Sequence, residues 1–380
     1  NISGLTTWTG QVSLDGDIVI EPGATLRLAA GTRVTFAASD KRAAGFETTR
    51  SEIIVYGELV VDATVGDPVT IGRQGAEGRL WLGVLLPGAG SPGLEAAVRS
   101  GALILEGATL GLTRARLPAG RTTWSGTQQI PWDVIVPAAA ELLVEAGATV
   151  RFAAEDLSLR GRSPGFTELV VEGGLVVRGS AAAPAVFTID SQDRSELWSG
   201  VQLVEGGTVD AEGLTLTQAG VGFAGDVTDG FRLADSRLSR LTTGLRLTLF
   251  DDATVDRVDL RTITTNAINV SGFGTLRLRN SVVEGNGREG VVVNNAGLLV
   301  IDSRISGNGL LDDEDPRSGL VANGGRGQRI EMWNTAVDGN RLHGIDLGSW
   351  EGIFELHGST VIGNRGDGLR ADGAERIVLE

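Results

Sequence analysis

The sequence predicts an all-β solenoid in which short parallel strands stack coil upon coil. Three observations predict it. An alternating apolar pattern, punctuated by Gly and Asn, recurs through the last third of the chain. Much of the first third returns 116 residues later almost without gaps. The 380 residues also include 56 Gly, one Met, one Tyr and no Cys, so a core must come from Val, Leu, Ile and Ala.

The C-terminal pattern is the most regular. LRLRNSVVEGN (276–286) is followed by LLVIDSRISGN (298–308), IEMWNTAVDGN (330–340) and FELHGSTVIGN (354–364). Apolar residues fall at Leu276, Leu278 and Val283, then at Leu298, Val300 and Ile305. They continue at Ile330, Met332 and Val337, then at Phe354, Leu356 and Val361. Strict alternation marks strands with one buried face, and Gly and Asn mark the turns between them. The Asn residues recur at steps of 22, 32 and 24. Strands this short cannot bury a core alone, but stacked coils can. Asn286, Asn308, Asn340 and Asn364 then form an internal amide ladder, and Ser281, Ser303, Thr335 and Ser359 stack likewise. Going backwards, coils around Leu233–Leu241 and Val255–Val270 carry an aliphatic residue where the later Asn stands.

The duplication begins at TTWTG (6–10) and TTWSG (122–126). Adding 116 carries Val34 and Phe36 onto Val150 and Phe152, and Gly57, Leu59 and Val61 onto Gly173, Leu175 and Val177. The expected organisation is a single solenoid of about 15–16 coils of roughly 22–24 residues. It divides into a first repeat module (1–116), a second (117–230), each of about five coils, and a regular C-terminal part (231–380).

The C-terminal coils resemble the parallel β-helix repeat of the pectin-lyase-like superfamily. The Trp-x-Gly, GATL and Gly-Thr-x-Val-x-Phe coils of the first modules are similar to those of secreted bacterial β-helix proteins. The resemblance implies a right-handed parallel β-helix, in agreement with the handedness of parallel crossovers generally. It also implies a secreted or cell-surface location. The chain starts at Asn1 rather than Met, which fits a processed or trimmed protein, and RIVLE stops in mid-pattern, so a continuation is expected.

The formal net charge of −15 disfavours nucleic acid and anionic membrane surfaces as partners, and no apolar run is long enough to span a membrane. Without Cys there is neither a disulfide framework nor a Cys-ligated metal site. The oligomeric state is not written in the sequence.

Enzymes of the resembled superfamily work in an outer groove. The resemblance implies clustered Asp with an Arg or Lys base for a lyase, or an Asp trio with Gly-His-Gly for a hydrolase. Lys41 is the only lysine here, and the two histidines read Leu342-His343-Gly344 and Leu356-His357-Gly358. Asp251-Asp252 reads as a polar turn. The function expected is a structural or adhesive β-helix that holds polysaccharide or cell-surface glycan without catalysis. The alternative is a polysaccharide lyase or glycosidase.

Three groups of residues are candidates. Trp333 and His357 each follow an inward residue, one coil apart, so they point outward as a stacked pair for a sugar ring, with Trp350 nearby. Lys41, Arg42, Arg50, Arg160 and Arg162 make the duplicated loop (39–52 and 155–168) the most basic part of an acidic chain, a site for an acidic glycan or a cover for a solenoid edge. Asp312, Asp313, Glu314 and Asp315 concentrate hard oxygen ligands in an insertion (309–318), either a Ca²⁺ site or a solvated acidic turn. No cofactor is required. Trp8, Trp81, Trp124 and Trp198 recur beside Gly in both modules and are expected to be architectural.

Overall fold

The computed structural model describes residues 1–37, 51–73, 83–85, 93–106, 116–130, 132–154, 163, 165–191, 193, 195–204, 206–311 and 316–380. They form two compact units. One comprises Asn1–Pro118, Gln129–Val134 and Glu155–Gly165; the other comprises Ala119–Gln128, Ile135–Ala154 and Phe166–Glu380.

In the second unit, eleven parallel strands run in order from Gly120–Trp124 to Arg376–Leu379, each one coil beyond the last. The other two faces of the coils join into an eighteen-stranded parallel sheet through Leu214–Val227 and Arg237–Leu249, which run round a corner. Alternation decides which side chains go inside. Leu276, Leu278, Leu298, Val300, Ile330, Met332 and Phe354 are buried, while Arg277, Leu299 and Glu331 share a register on the outside. Each buried Leu or Ile contributes on the order of 1.5–3 kcal/mol, so the stack is stabilised coil by coil.

Two corners explain the repeated polar residues. At the first, Asp235, Arg257, Asn280, Asp302 and Asn334 adopt left-handed backbone with φ between 48 and 53°. Asn and Asp tolerate this region, which accounts for most of the set. At Ser236, Ser281 and Ser303 the hydroxyl that follows accepts the backbone N–H of the preceding coil and donates to a carbonyl two residues back. Ser303 takes Ser281 N–H at 3.1 Å and donates to Ile301 O at 2.8 Å.

At the second corner a left-handed Gly precedes each ladder Asn, at Gly285, Gly307, Gly339 and Gly363. The amides connect as the spacing predicts. Asn286 Nδ2 donates to Asn308 Oδ1 at 2.9 Å, Asn308 to Asn340 at 3.0 Å, and Asn340 to Asn364 at 2.9 Å. Ile263, the aliphatic predecessor, donates its backbone N–H to Asn286 Oδ1 at 3.0 Å and so begins the ladder.

The first unit has three short parallel sheets. Leu5–Trp8, Thr25–Ala29 and Glu58–Asp62 form one, and the others are built in the same way around Ile20, Leu26, Val34, Phe36, Ile53 and Ile71. A helix, Leu94–Ser100, interrupts the strands between two left-handed glycines and packs Leu94 into the core.

The register shows that coil length is uneven within each module. Leu5 pairs with Thr25 and Thr25 with Glu58, steps of 20 and 33 residues. In the second module Arg121 pairs with Glu141 and Glu141 with Gly174, again steps of 20 and 33. The duplication therefore copied the register itself. The longer step holds the duplicated loop, whose extra residues lengthen a coil without changing strand spacing. Among the described residues the longest sheet of the first unit stacks four strands and the single-face sheet of the second eleven, in line with about 15 coils.

Candidate functional site

The outer face of the eleven-stranded sheet carries three columns of side chains parallel to the solenoid axis. One reads Asp256, Arg279, Ile301, Trp333, His357; its neighbour reads Arg232, Thr254, Arg277, Leu299, Glu331, Glu355. Over most of its length this face is neutralised from within. Arg232 bridges Asp210 and Glu212 at 2.9 and 3.1 Å, and Arg178 reaches Asp210 at 2.5 Å. Burial raises the Asp210 carboxyl, but hydrogen bonds from Arg178 and Arg232 outweigh it and hold it below the usual carboxylate range.

The strands Arg329–Trp333 and Ile353–His357 break this balance. Trp333 and His357 pair in register, and their rings stack at 3.9 Å with 14° between planes. Trp333 remains 40% exposed, with Ile301 as its neighbour on the preceding coil. The indole N–H donates to Glu331 Oε2 at 3.4 Å. His357 lies beneath, its Nδ1 3.0 Å from Glu380 Oε2 and its Nε2 3.6 Å from Glu355 Oε2. A carboxylate accepts only, so Nδ1 carries the proton in that contact. The buried Nε2 makes no hydrogen bond. Arg329 lies between Glu331 and Glu355 at 3.4 and 3.3 Å.

The arrangement offers an aromatic surface rimmed by three carboxylates and one guanidinium. Sequence reasoning brought Trp333 and His357 together but passed over Arg329, Glu331, Glu355 and Glu380. The signal was present: Glu331 and Glu355 stand two residues before Trp333 and His357, hence on the same face.

Trp350 is not part of this surface, which corrects the expectation that it stands beside the pair. It is fully buried, and its ring lies so close over Gly325 that a Cβ there would meet it at 1.9 Å. The cause is a bulge. Leu320–Gly324 pairs with Ile345–Trp350 in register until Asp346, after which Asn323 meets Ser349. One extra residue reverses the alternation and turns Trp350 inward.

Lys41, Arg42, Arg50, Arg160 and Arg162, together with Asp312, Asp313, Glu314 and Asp315, lie outside the described residues. Among the described residues no group of three His, Asp or Glu is placed to hold a metal ion. Asp251 and Asp252 cap a corner. Asp252 accepts Thr275 N–H at 2.8 Å and pairs with Arg277 at 2.6 Å. Of the four duplicated tryptophans, Trp124 and Trp198 are buried, Trp198 stacking on Phe152 at 3.9 Å, and Trp8 packs partly on the core. Trp81 lies outside the described residues.

The sequence reading also missed two duplicated sets of buried acids. Asp17 and Glu52 are buried, and 116 residues on, so are Asp133 and Glu168. Glu52 N–H donates to Asp17 Oδ1 at 3.0 Å. Comparing GDIVI with WDVIV, and SEIIV with TELVV, would have revealed them.

Residues 243–380 match the family model of the right handed beta helix region. No curated protein matches the chain. Similar solved structures include the periplasmic alginate epimerase AlgG, at 12% identity over 96% of this chain and 75% of that chain, with a TM-score of 0.43. Another is the A-module of the Azotobacter vinelandii mannuronan C-5 epimerase AlgE6, at 11% identity over 94% and 90%, TM-score 0.34. A third is the Streptococcus pneumoniae surface protein and adhesin PfbA, at 8% identity over 99% and 92%, TM-score 0.19. At these values no residue here inherits a role. The described strands stack in parallel coil upon coil, and residues 243–380 are the part that matches a right-handed β-helix. No helix among the described residues is long and apolar enough to cross a membrane.

Proposed function

We propose that the protein is a secreted or cell-surface bacterial β-helix, a structural and adhesive scaffold that holds glycan on its outer face without catalysis. One observation carries this reading: the exposed Trp333 ring stacked on His357, with hydrogen-bonding carboxylates along one edge. Sugars combine an apolar ring face with a rim of hydroxyls, and such a surface meets both. The absence of catalysis is supported by the employment of six further outward acids. Asp210, Glu212, Asp235, Asp256, Asp259 and Asp338 all pair with arginine.

A second reading has one observation in its favour. Glu331, Glu355 and His357 sit together on the same face, and two carboxylates beside an imidazole are the raw material of acid–base chemistry. A panel of neutral and charged polysaccharides, with and without Ca²⁺, separates the two. Binding without new reducing ends or unsaturated products supports the scaffold. Turnover that is lost in Glu355→Gln supports the enzyme.

A further inference from the structure

Resting on the glycan reading, we infer that the sugar taken by the Trp333–His357 face bears an amine rather than a carboxylate or sulfate. The rim of the stacked pair is Glu331, Glu355 and Glu380, against the single guanidinium of Arg329. Arg329 is already divided between Glu331 and Glu355, so its donors face inward to the protein's own acids. The next cations by register are Arg279, two coils back in the Trp333 column, and Arg376, one coil beyond Ile353.

His357 does not supply the missing positive charge to a ligand. Its Nδ1 faces Glu380, and its Nε2, buried and without a hydrogen bond, faces Glu355. Asp302 adds a further acid at the turn after Ile301, where it accepts Asn334 Nδ2 at 3.2 Å. An incoming uronate or sulfate would meet three carboxylates, with the one guanidinium of the rim already engaged by two of them. An ammonium adds a second cation to a rim in which three carboxylates stand against one guanidinium.

The test is calorimetric titration of the whole chain with three oligosaccharides at one ionic strength: a deacetylated glucosamine oligomer, the same oligomer N-acetylated, and an oligogalacturonate. The deacetylated oligomer is expected to bind roughly fivefold tighter than its acetylated form, the worth of one exposed ion pair, and the oligogalacturonate weakest. In a Glu331→Gln/Glu380→Gln variant the ratio of affinities for the deacetylated and acetylated oligomers should fall to about one, whatever happens to the affinity the two share. This variant also controls for attraction by the acidic chain as a whole. The inference is overturned if the oligogalacturonate binds as well as the amine, or if the preference survives the double substitution. Failure of all three to bind removes the glycan reading itself, a different result from a wrong order among ligands that bind.

Discussion

Arg257 closes on Asp235 with two hydrogen bonds, Nε to Oδ1 at 2.6 Å and Nη2 to Oδ2 at 2.7 Å, although both residues occupy left-handed backbone. The equivalent corner positions on later coils are Asn280, Asp302 and Asn334, residues that tolerate this conformation. Arginine does not favour it, so the pairing with Asp235 and with Asp256 offsets a conformational cost.

Replacing Arg257 separates these two contributions. Arg257→Asn relieves the backbone and removes the ion pairs, whereas Arg257→Ala removes the pairs and keeps the strain. The alanine variant should therefore melt below the asparagine variant. Hydrogen bonding to Arg257 holds Asp235 below its ordinary value of 3.8. A depressed carboxyl stabilises the fold above its unfolded value and loses that effect as pH falls through the folded value. The gap in Tm between wild type and Arg257→Asn should thus be full near neutrality and shrink below about pH 4. Circular dichroism melts across pH measure it, and a gap that is constant with pH would rule the pairing out.

The amide ladder makes a graded prediction. Asn308 Oδ1 accepts both the backbone N–H and the side-chain amide of Asn286, and its own amide donates to Asn340 Oδ1 and Val283 O. Asn308→Ile orphans these groups in a dry corner at about 2–4 kcal/mol. Asn286→Ile should cost less, because the preceding coil already carries Ile263 there and Asn308 keeps its backbone donor. Urea titration gives the order, and equal midpoints would mean that the ladder amides act independently.

How much of this was legible follows from where the energy lies. The Asn, Ser and Gly positions recur because each corner must satisfy the same backbone groups, so spacing alone revealed ladders and turns. Trp333 over His357 was legible because alternation fixes the face and the period fixes the neighbour. Trp350 was misplaced because a bulge at Leu347–Gly348 reverses the alternation, and nothing in IDLGSW (345–350) announces an extra residue except Gly348. The uneven steps of the first modules, 20 and 33 residues, were not legible because an averaged period hides them. Asp17 and Glu52 were missed because burial of an acid depends on partners remote in sequence.

Those buried acids carry a prediction of their own. Asp17→Ala leaves the buried Glu52 N–H without its 3.0 Å acceptor, a loss of about 1–3 kcal/mol. If the second module repeats the arrangement as it repeats the register, Asp133→Ala should cost a similar amount in thermal unfolding. A harmless Asp133→Ala would mean that the duplicated acids have diverged in use.

The last prediction concerns Trp333. Its ring is 40% exposed and rests on His357, so Trp333→Ala gives up one stacking contact and little core, at most about 1.5 kcal/mol of stability. Glycan binding depends on it far more, because the indole supplies the apolar surface that a sugar ring covers. Binding should weaken about tenfold or more while Tm moves by only a few degrees. His357→Ala removes the support beneath the indole, together with a ring whose two nitrogens face Glu380 and Glu355. It should weaken binding less than Trp333→Ala does. Titration of both variants with whichever oligosaccharide binds the wild type gives the ratio. Equal losses in the two would mean that the stacked pair, rather than the exposed indole, is the recognised surface. No loss in either would move the glycan site away from these coils.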